Sequence, residues 1–192
     1  MEFQKFSESY SSEVSAVIAP VFEDFTPTDT LNFTRESSAL ANAKKSGFSG
    51  KIGEIFDMFD NKLGKRIILI GLGKNGTIDD EVLRRSYSSA FNSVKSTPKG
   101  VVQVILPKGS TEETKEVIFS ISLAAYDFDK YRSEKNKTKV DKILITTKSK
   151  EMAIKEAIAL ADAVNFTRDI ANLPPSVGTP SFLRRLHGNL KA

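Results

Sequence analysis

The second half of the chain alternates short apolar runs with longer segments whose apolar residues recur three and four positions apart. The short runs predict buried strands and the longer segments predict helices. We predict strands at residues 67–70, 101–106 and 143–145, and helices at residues 79–94, 110–125 and 150–170. This β-α-β-α-β-α order requires helices on both faces of a largely parallel sheet.

The first sixty residues carry weaker patterns. Residues 14–19 predict a strand that ends at Pro20, and the region around Phe3 and Phe6 is a candidate partner for it. Residues 29–45 have the length of a helix, although their apolar stripe is sparse. The apolar positions between Ile52 and Phe59 predict a strand that enters a turn at residues 60–64.

Capping residues mark several helix ends. Ser110 and Glu113 have the spacing of a capping box, and Thr77 with Asp80 forms a similar arrangement before the helix at 79–94. Pro174 and Pro175 cannot continue the long helix, because proline lacks an amide hydrogen and clashes with the preceding turn. A short helix is predicted at 182–186, and its closeness to Ala192 leads us to expect that the natural protein continues further.

Composition narrows the class of protein. The chain has 192 residues, of which 40% are hydrophobic, and no cysteine, which suits a soluble domain in the reducing cytoplasm. No apolar run approaches the roughly 18 to 20 residues of a membrane span, so we expect no membrane partner. The net charge of +4 is diffuse, and acidic residues interrupt the basic stretch at 130–150, which does not favour a nucleic-acid partner.

The segment Gly71-Leu72-Gly73-Lys74-Asn75-Gly76 satisfies the G-x-G-x-x-G pattern of dinucleotide-binding folds. That function requires the helix to begin within the glycine turn, whereas the capping residues place its start beyond Gly76. It also requires an acidic residue about 20 positions later, and none occurs between Glu81 and Glu112. We therefore interpret the segment as a glycine-rich turn between a strand and a helix.

The remaining candidate chemistry is sparse. His187 is the only histidine and is expected to be exposed, and Asp127 and Asp129 are expected to face water while the neighbouring rings pack inward. Arg168 and Asp169 are a candidate ion pair at a helix end. We predict no catalytic, cofactor-binding or metal-binding residue in this chain.

Three stretches together resemble one family. They are SLAAYDFDKYRSEK at 122–135, AIALADAVNFTRDIANLPPSVGTPSFL at 157–183, and IILIGLGKNG at 67–76 leading into DDEVLRRSYSSAF. Their order and spacing resemble the cytosol (leucyl) aminopeptidase family, peptidase family M17. The resemblance covers most of the chain from about Gly64 onward and is looser before it.

The resemblance implies an α/β fold of three layers, similar to macro domains, with a mixed and mostly parallel sheet flanked by helices. It implies a macro-like N-terminal domain at 1–149, a linker helix at 150–172, and at 173–192 the start of a C-terminal catalytic domain. In the family that second domain holds two divalent ions, zinc or manganese, and the whole protein is a homo-oligomer that removes N-terminal residues from peptides.

The function that follows for this chain is a non-catalytic domain that supports assembly and shapes access to the active sites, within a cytoplasmic enzyme. Two alternatives stay open at this point. One is a macro-type module that binds a nucleotide or ADP-ribose, with backbone amides of the turn at 71–73 holding a phosphate. The other is an accessory domain that contacts DNA.

Overall fold

A computed structural model describes residues 1–25, 38–76, 78–96, 100–133 and 139–189. The strands are β1 (Glu2–Lys5), β2 (Ala16–Val21), β3 (Ile55–Asp60), β4 (Lys65–Gly71), β5 (Gly100–Ile105) and β6 (Val140–Thr146). The helices are α1 (Ala39–Lys45), α2 (Asp80–Val94), α3 (Thr111–Ala124), α4 (Glu151–Ala171) and α5 (Pro180–Asn189), and a short 3-10 helix covers Glu8–Tyr10.

Within the described ranges the six strands form one sheet in the order β1-β6-β5-β2-β4-β3. All neighbouring strands are parallel except β3, which runs antiparallel to β4. Strand β2 lies in the middle, where Ile18 pairs with Ile68 on one side and Val104 on the other. The predicted fold class, a mixed and mostly parallel α/β sheet flanked by helices, is confirmed.

The core lies on both faces of the sheet, because alternate residues of each central strand point to opposite sides. Ile68 and Ile70 pack beneath α2, α3 and α4, together with the fully buried Tyr87 and Phe91 of α2. On the other face Ile67 and Leu69 pack against a cluster that includes α1. All five residues of the predicted α2 stripe are buried: Leu83, Tyr87, Ala90, Phe91 and Val94.

The predicted partner of the strand at 14–19 was wrong. Strand β1 pairs with β6, where Phe3 lies beside Ile143, and does not touch β2 in the sheet. The burial pattern explains the difference. Every residue of β2 is buried, so both of its neighbours must be buried strands, whereas β1 is exposed at both ends and suits a sheet edge.

The predicted end of β2 at Pro20 was also wrong, since the strand continues through Pro20 to Val21. The amide of Leu72 donates to the carbonyl of Val21, so Val21 faces β4 and Pro20 faces the β5 side. The pairing with β5 covers only Ala16, Val17 and Ile18. Pro20 therefore lies where the ladder with β5 has ended and no amide donor is required.

The helix ends follow local chemistry. Ser110 accepts a hydrogen bond from the amide of Glu113 at 3.2 Å, as the capping box predicts, while the Glu113 carboxylate accepts from the amides of Lys108 and Gly109. Helix α5 is longer than predicted and begins at Pro180. The predicted helix at 29–45 is confirmed from Ala39 onward, and its residues 29–37 lie outside the described residues.

Candidate functional site at the end of helix α4

The backbone amides of the glycine turn after β4 form hydrogen bonds with neighbouring segments of the chain. The amides of Gly71, Leu72 and Gly73 donate to the carbonyl oxygens of Glu54 (2.8 Å), Val21 (3.0 Å) and Gly50 (2.9 Å). A phosphate cradle needs several amides that point at the ligand. Because all three donors already have backbone acceptors, this turn does not offer such a cradle.

The glycines of this turn are explained by packing. A β-carbon on Gly71 would lie 1.9 Å from the carbonyl oxygen of Lys51, and Gly73 has a φ of +77°, which favours glycine. The segment that covers them is held by Glu54, whose carboxylate accepts from the amides of Ser49 (2.8 Å) and Lys51 (3.2 Å). These hydrogen bonds, led by that of the Ser49 amide, lower the pKa of Glu54.

Helix α2 begins at Asp80, beyond Gly76, as predicted. Its capping residue is Asp79, whose carboxylate accepts from the amide of Val82 at 2.8 Å, while Thr77 lies outside the described residues. Asp80 and Glu81 add negative charge to the first turn. A diphosphate at this helix end would be repelled by these carboxylates.

The end of α4 is held by a cluster around one tyrosine, which we call the Tyr126 cluster: Tyr126, Arg168, Asp169 and Asn172. The hydroxyl of Tyr126 donates to Asp169 Oδ1 at 2.8 Å and accepts from Asn172 Nδ2 at 3.3 Å. The guanidinium of Arg168 lies 4.0 Å from the centre of the Tyr126 ring. Arg168 and Asp169 of α4 and its C-cap residue Asn172 thus all contact Tyr126, which follows α3.

This arrangement corrects one prediction. Arg168 and Asp169 were expected to pair with each other, but they contact opposite parts of Tyr126, the ring face and the hydroxyl. Arg168 also donates to the carbonyl of Leu123 at 3.3 Å, which ties α4 to the last turn of α3. Partial burial raises the pKa of Tyr126, and the Asp169 carboxylate adds to the rise while Asn172 opposes it.

A cleft of about 410 Å³ opens beside the Tyr126 cluster. Its walls come from the segment after α3, the end of α4, and α5, and they include Phe128, Phe166 and Phe182. The apolar lining is incompletely covered, since Phe166 is 37% exposed. Partly exposed apolar surface of this kind is typical of a contact surface for another protein domain.

The other candidate residues take up scattered positions. His187 is exposed on α5, and Asp127 is exposed, both as predicted. Tyr131 was expected to pack inward, but it is half exposed and lies 5.9 Å from the ring of Phe128. Among the described residues, no three acidic or histidine side chains converge as a metal-ligand set. No helix in that part of the chain is long and apolar enough to cross a membrane.

Sequence comparison then decides the family. The sequence profile of the cytosol aminopeptidase family, N-terminal domain, matches residues 20–135, which is more than half of the chain. The chain belongs to the cytosol aminopeptidase family. The matched range runs from β2 through the sheet, α2 and α3 to the segment that contains Tyr126.

Relatives in the family are much longer than this chain. A probable cytosol aminopeptidase of Caulobacter vibrioides is 35% identical over 161 residues, which cover 78% of this chain and 32% of that protein. A second, from Treponema denticola, is 33% identical over 175 residues and is covered to 35%. The chain therefore spans about a third of the length of the relatives that it matches.

Solved structures with the same fold include larger aminopeptidases. A mutant of tomato leucine aminopeptidase superposes with a TM-score of 0.75 at 20% identity, over 95% of this chain and 40% of that chain. At this level of identity the likeness concerns the fold, and it agrees with the family assignment.

Proposed function

We propose that this chain is the non-catalytic N-terminal domain of a two-metal aminopeptidase that removes N-terminal residues from peptides. The observation that carries the proposal is the family match over residues 20–135, together with relatives about three times as long. In this view the domain supports assembly of the enzyme and shapes access to its active sites. The enzyme would act in the cytoplasm as a homo-oligomer.

The proposed division of the chain places the macro-like domain at 1–149, the linker helix at 150–172, and the start of the catalytic domain at 173–192. Helix α4 has 21 residues and therefore a length of about 30 Å, enough to carry the chain from one globular unit to another. The Tyr126 cluster supports this role, because it fixes the end of α4 against the segment that follows α3. The direction in which the chain leaves α4 is thereby constrained.

The partly apolar surface around the cleft is suited to contact with the catalytic domain. Phe166 of α4 is 37% exposed in the cleft, and Phe128 and Phe182 add apolar side chains to its walls. Interfaces between domains of one chain are commonly formed by such mixed surfaces. We propose that the catalytic domain covers part of this region in the full-length enzyme.

The two divalent ions, zinc or manganese, are proposed to bind to the catalytic domain. A bound ion of this kind activates water and polarises the scissile carbonyl. One solved structure with this fold is a manganese complex of the bottromycin maturation enzyme BotP, with a TM-score of 0.71 and 20% identity. That likeness makes manganese a reasonable choice for the assay below.

The proposal is tested by assaying the purified 192-residue chain for hydrolysis of leucine amide with added manganese or zinc. We expect no turnover above a buffer control, and a full-length cytosol aminopeptidase from Caulobacter vibrioides serves as the positive control. Metal-dependent hydrolysis that co-purifies with the chain and is lost on unfolding would contradict a non-catalytic role.

The two alternative functions gain no support from the geometry. The amides at 71–73 that would hold a phosphate of ADP-ribose donate to backbone carbonyls. Calorimetry with ADP-ribose should therefore show no saturable binding. A DNA-contacting role would require an affinity that falls steeply with salt, and we expect negligible binding even at low salt.

A further inference from the structure

Packing does not explain the last two residues of the glycine-rich segment, Asn75 and Gly76. A β-carbon on Gly71 would meet the carbonyl oxygen of Lys51, whereas one on Gly76 would meet nothing within 4 Å. Gly76 has a φ of +93°, and both residues are exposed in the turn that leads to helix α2. The sequence contains no other asparagine that directly precedes a glycine. This turn therefore combines an open surface position with the one Asn-Gly pair of the chain.

Hydrogen bonding leaves the polar groups of this pair unengaged in the part of the chain that the structure describes. There the carboxamide of Asn75 has no hydrogen-bond partner, and the amide of Gly76 donates to no acceptor. Asparagine is a thermolabile residue, because the next main-chain nitrogen can attack its side-chain carbonyl carbon. Glycine in that next position favours the attack, since it has no β-carbon and the widest choice of backbone angles.

Other asparagines of the chain are held in place. Nδ2 of Asn165 donates to a carbonyl oxygen of α3 at 3.4 Å, and Nδ2 of Asn172 donates to the hydroxyl of Tyr126 at 3.3 Å. The amide that follows Asn61 belongs to Lys62, and it donates to a carboxylate oxygen at 2.9 Å. Each of these three asparagines also precedes a residue that has a β-carbon. Their side chains or the amides that follow them are therefore less able to react.

We propose that Asn75 is a site of spontaneous deamidation. The nitrogen of Gly76 forms a bond to Cγ of Asn75, the bond from Cγ to Nδ2 breaks, and the amide proton of Gly76 leaves with that nitrogen as ammonia. Water then opens the resulting five-membered succinimide ring at either of its carbonyl carbons. One opening gives aspartate, and the other gives isoaspartate, in which the main chain runs through the side-chain carbonyl carbon. The overall change consumes one water molecule and releases one ammonia.

The products change the turn that joins β4 to α2. Both of them add a carboxylate, which lowers the formal net charge of +4 by one unit. The new charge lies just before the first turn of α2, where Asp79, Asp80 and Glu81 already supply negative charge. Isoaspartate also adds one main-chain carbon atom to the turn. An exposed isoaspartate is the chemical group that protein-isoaspartate methyltransferases modify, so such an enzyme provides a specific probe for it.

The test is to incubate the purified 192-residue chain in neutral buffer at physiological temperature and to follow every asparagine by peptide mapping with mass spectrometry against a zero-time sample. A synthetic peptide of residues 71–80 gives the rate without the fold. Gly76→Ala places a β-carbon beside the attacking nitrogen, and Asn75→Gln keeps a carboxamide but would require a six-membered ring. Far-UV circular dichroism checks that both variants are folded. Methyl transfer from labelled S-adenosylmethionine by an isoaspartate methyltransferase detects isoaspartate.

We expect Asn75 to lose its amide faster than every other asparagine of the folded chain, at a rate within about tenfold of that in the peptide, which corresponds to a barrier at most about 1.4 kcal/mol higher. Gly76→Ala should react about tenfold more slowly than wild type, because glycine is the residue that favours the attack. Methyl transfer should increase with the age of the wild-type sample and stay low in Asn75→Gln. A folded chain that keeps the Asn75 amide while the peptide converts would overturn the proposal. So would a Gly76→Ala variant that converts as fast as wild type.

Discussion

Replacing Tyr126 with phenylalanine removes one hydroxyl group from the end of α4 and leaves the aromatic ring in place. The ring can still lie against Arg168, whose guanidinium is 4.0 Å from the ring centre in the wild-type chain. The change therefore isolates the two hydrogen bonds that the hydroxyl makes with Asp169 and Asn172. The variant tests whether the hydrogen bonds of the Tyr126 cluster contribute to the free energy of unfolding.

The expected magnitude follows from these two contacts. A hydrogen bond to a charged acceptor contributes about 1.5 to 3 kcal/mol and a neutral one about 0.5 to 1.5 kcal/mol to the free energy of unfolding. Asp169 and Asn172 are exposed and Tyr126 is only partly buried, so water competes for all three groups. Discounting for this exposure, we expect Tyr126→Phe to lower the free energy of unfolding by about 1 to 1.5 kcal/mol.

Urea unfolding followed by far-UV circular dichroism is the suitable assay, because the chain has no tryptophan for fluorescence. Tyr126→Leu should cost more than Tyr126→Phe, since it also removes the stacking with Arg168, which contributes about 0.5 to 1 kcal/mol at an exposed site. A double-mutant cycle with Asp169→Asn should give a coupling energy of at least about 0.5 kcal/mol. Zero coupling, or a phenylalanine variant as stable as wild type, would refute the reasoning.

The pH dependence supplies an independent check. The pKa of Tyr126 is raised in the folded state, first by partial burial and then by the Asp169 carboxylate. The stabilising effect is therefore fully present below the unfolded pKa of about 10 and is lost as the pH rises through the folded pKa. Tyr126→Phe should consequently lose less stability than wild type in strongly alkaline solution, as measured by unfolding at a series of pH values.

Three further changes test other parts of the fold by the same unfolding assay. Gly71→Ala should cost about 1 to 3 kcal/mol because its β-carbon would lie 1.9 Å from the Lys51 carbonyl oxygen. The control Gly188→Ala meets nothing within 4 Å and lies in helix α5, so it should leave the free energy of unfolding unchanged or slightly raised; a loss equal to that of Gly71→Ala would contradict this account. Tyr87→Phe removes a buried 2.6 Å hydrogen bond to the Ile105 carbonyl and should cost about 1 to 2 kcal/mol, unlike Tyr131→Phe at a half-exposed ring. Glu54→Gln should reduce the loss of unfolding free energy on acidification. The lowered pKa of Glu54 gives stability that is present above about pH 4.3 and is lost as the pH falls through the folded pKa. A pH dependence unchanged by the substitution would show that the contacts of Glu54 with the Ser49 and Lys51 amides do not contribute.

The elements of the second half could be predicted because their signals are local. The apolar run that became β4 and the stripe from Leu83 to Val94 each report burial within a few residues of themselves. The cap at Ser110 is equally local, since its partner is three residues away. Such features need no knowledge of the rest of the fold.

The pairing of β1 could not be predicted in the same way. Strand β1 pairs with β6, some 140 residues later in the chain, and no local pattern in either strand indicates which strand it pairs with. The continuation of β2 through Pro20 has the same cause. Proline is tolerated there only because the pairing with β5 covers no more than Ala16, Val17 and Ile18, which is a property of the neighbouring strand.

The Tyr126 cluster was missed in the sequence for a related reason. Its partners lie about forty positions later in the chain, and they meet it only because α3 and α4 pack side by side. Reading the sequence near residue 168 indicates an ion pair between neighbours, since that is the shortest available contact. Tyr126 replaces that ion pair because its ring face binds the Arg168 guanidinium while its hydroxyl donates to Asp169.

The glycine turn shows that the same sequence pattern can occur for two different physical reasons. In a dinucleotide-binding fold the glycines let a phosphate approach free amides at a helix start. Here the space above Gly71 is occupied by the carbonyl of Lys51, and the amides of the turn donate to carbonyl oxygens of the chain. The pattern of glycines is common to both cases, so the direction of the amides, and not the pattern, decides whether a ligand can bind.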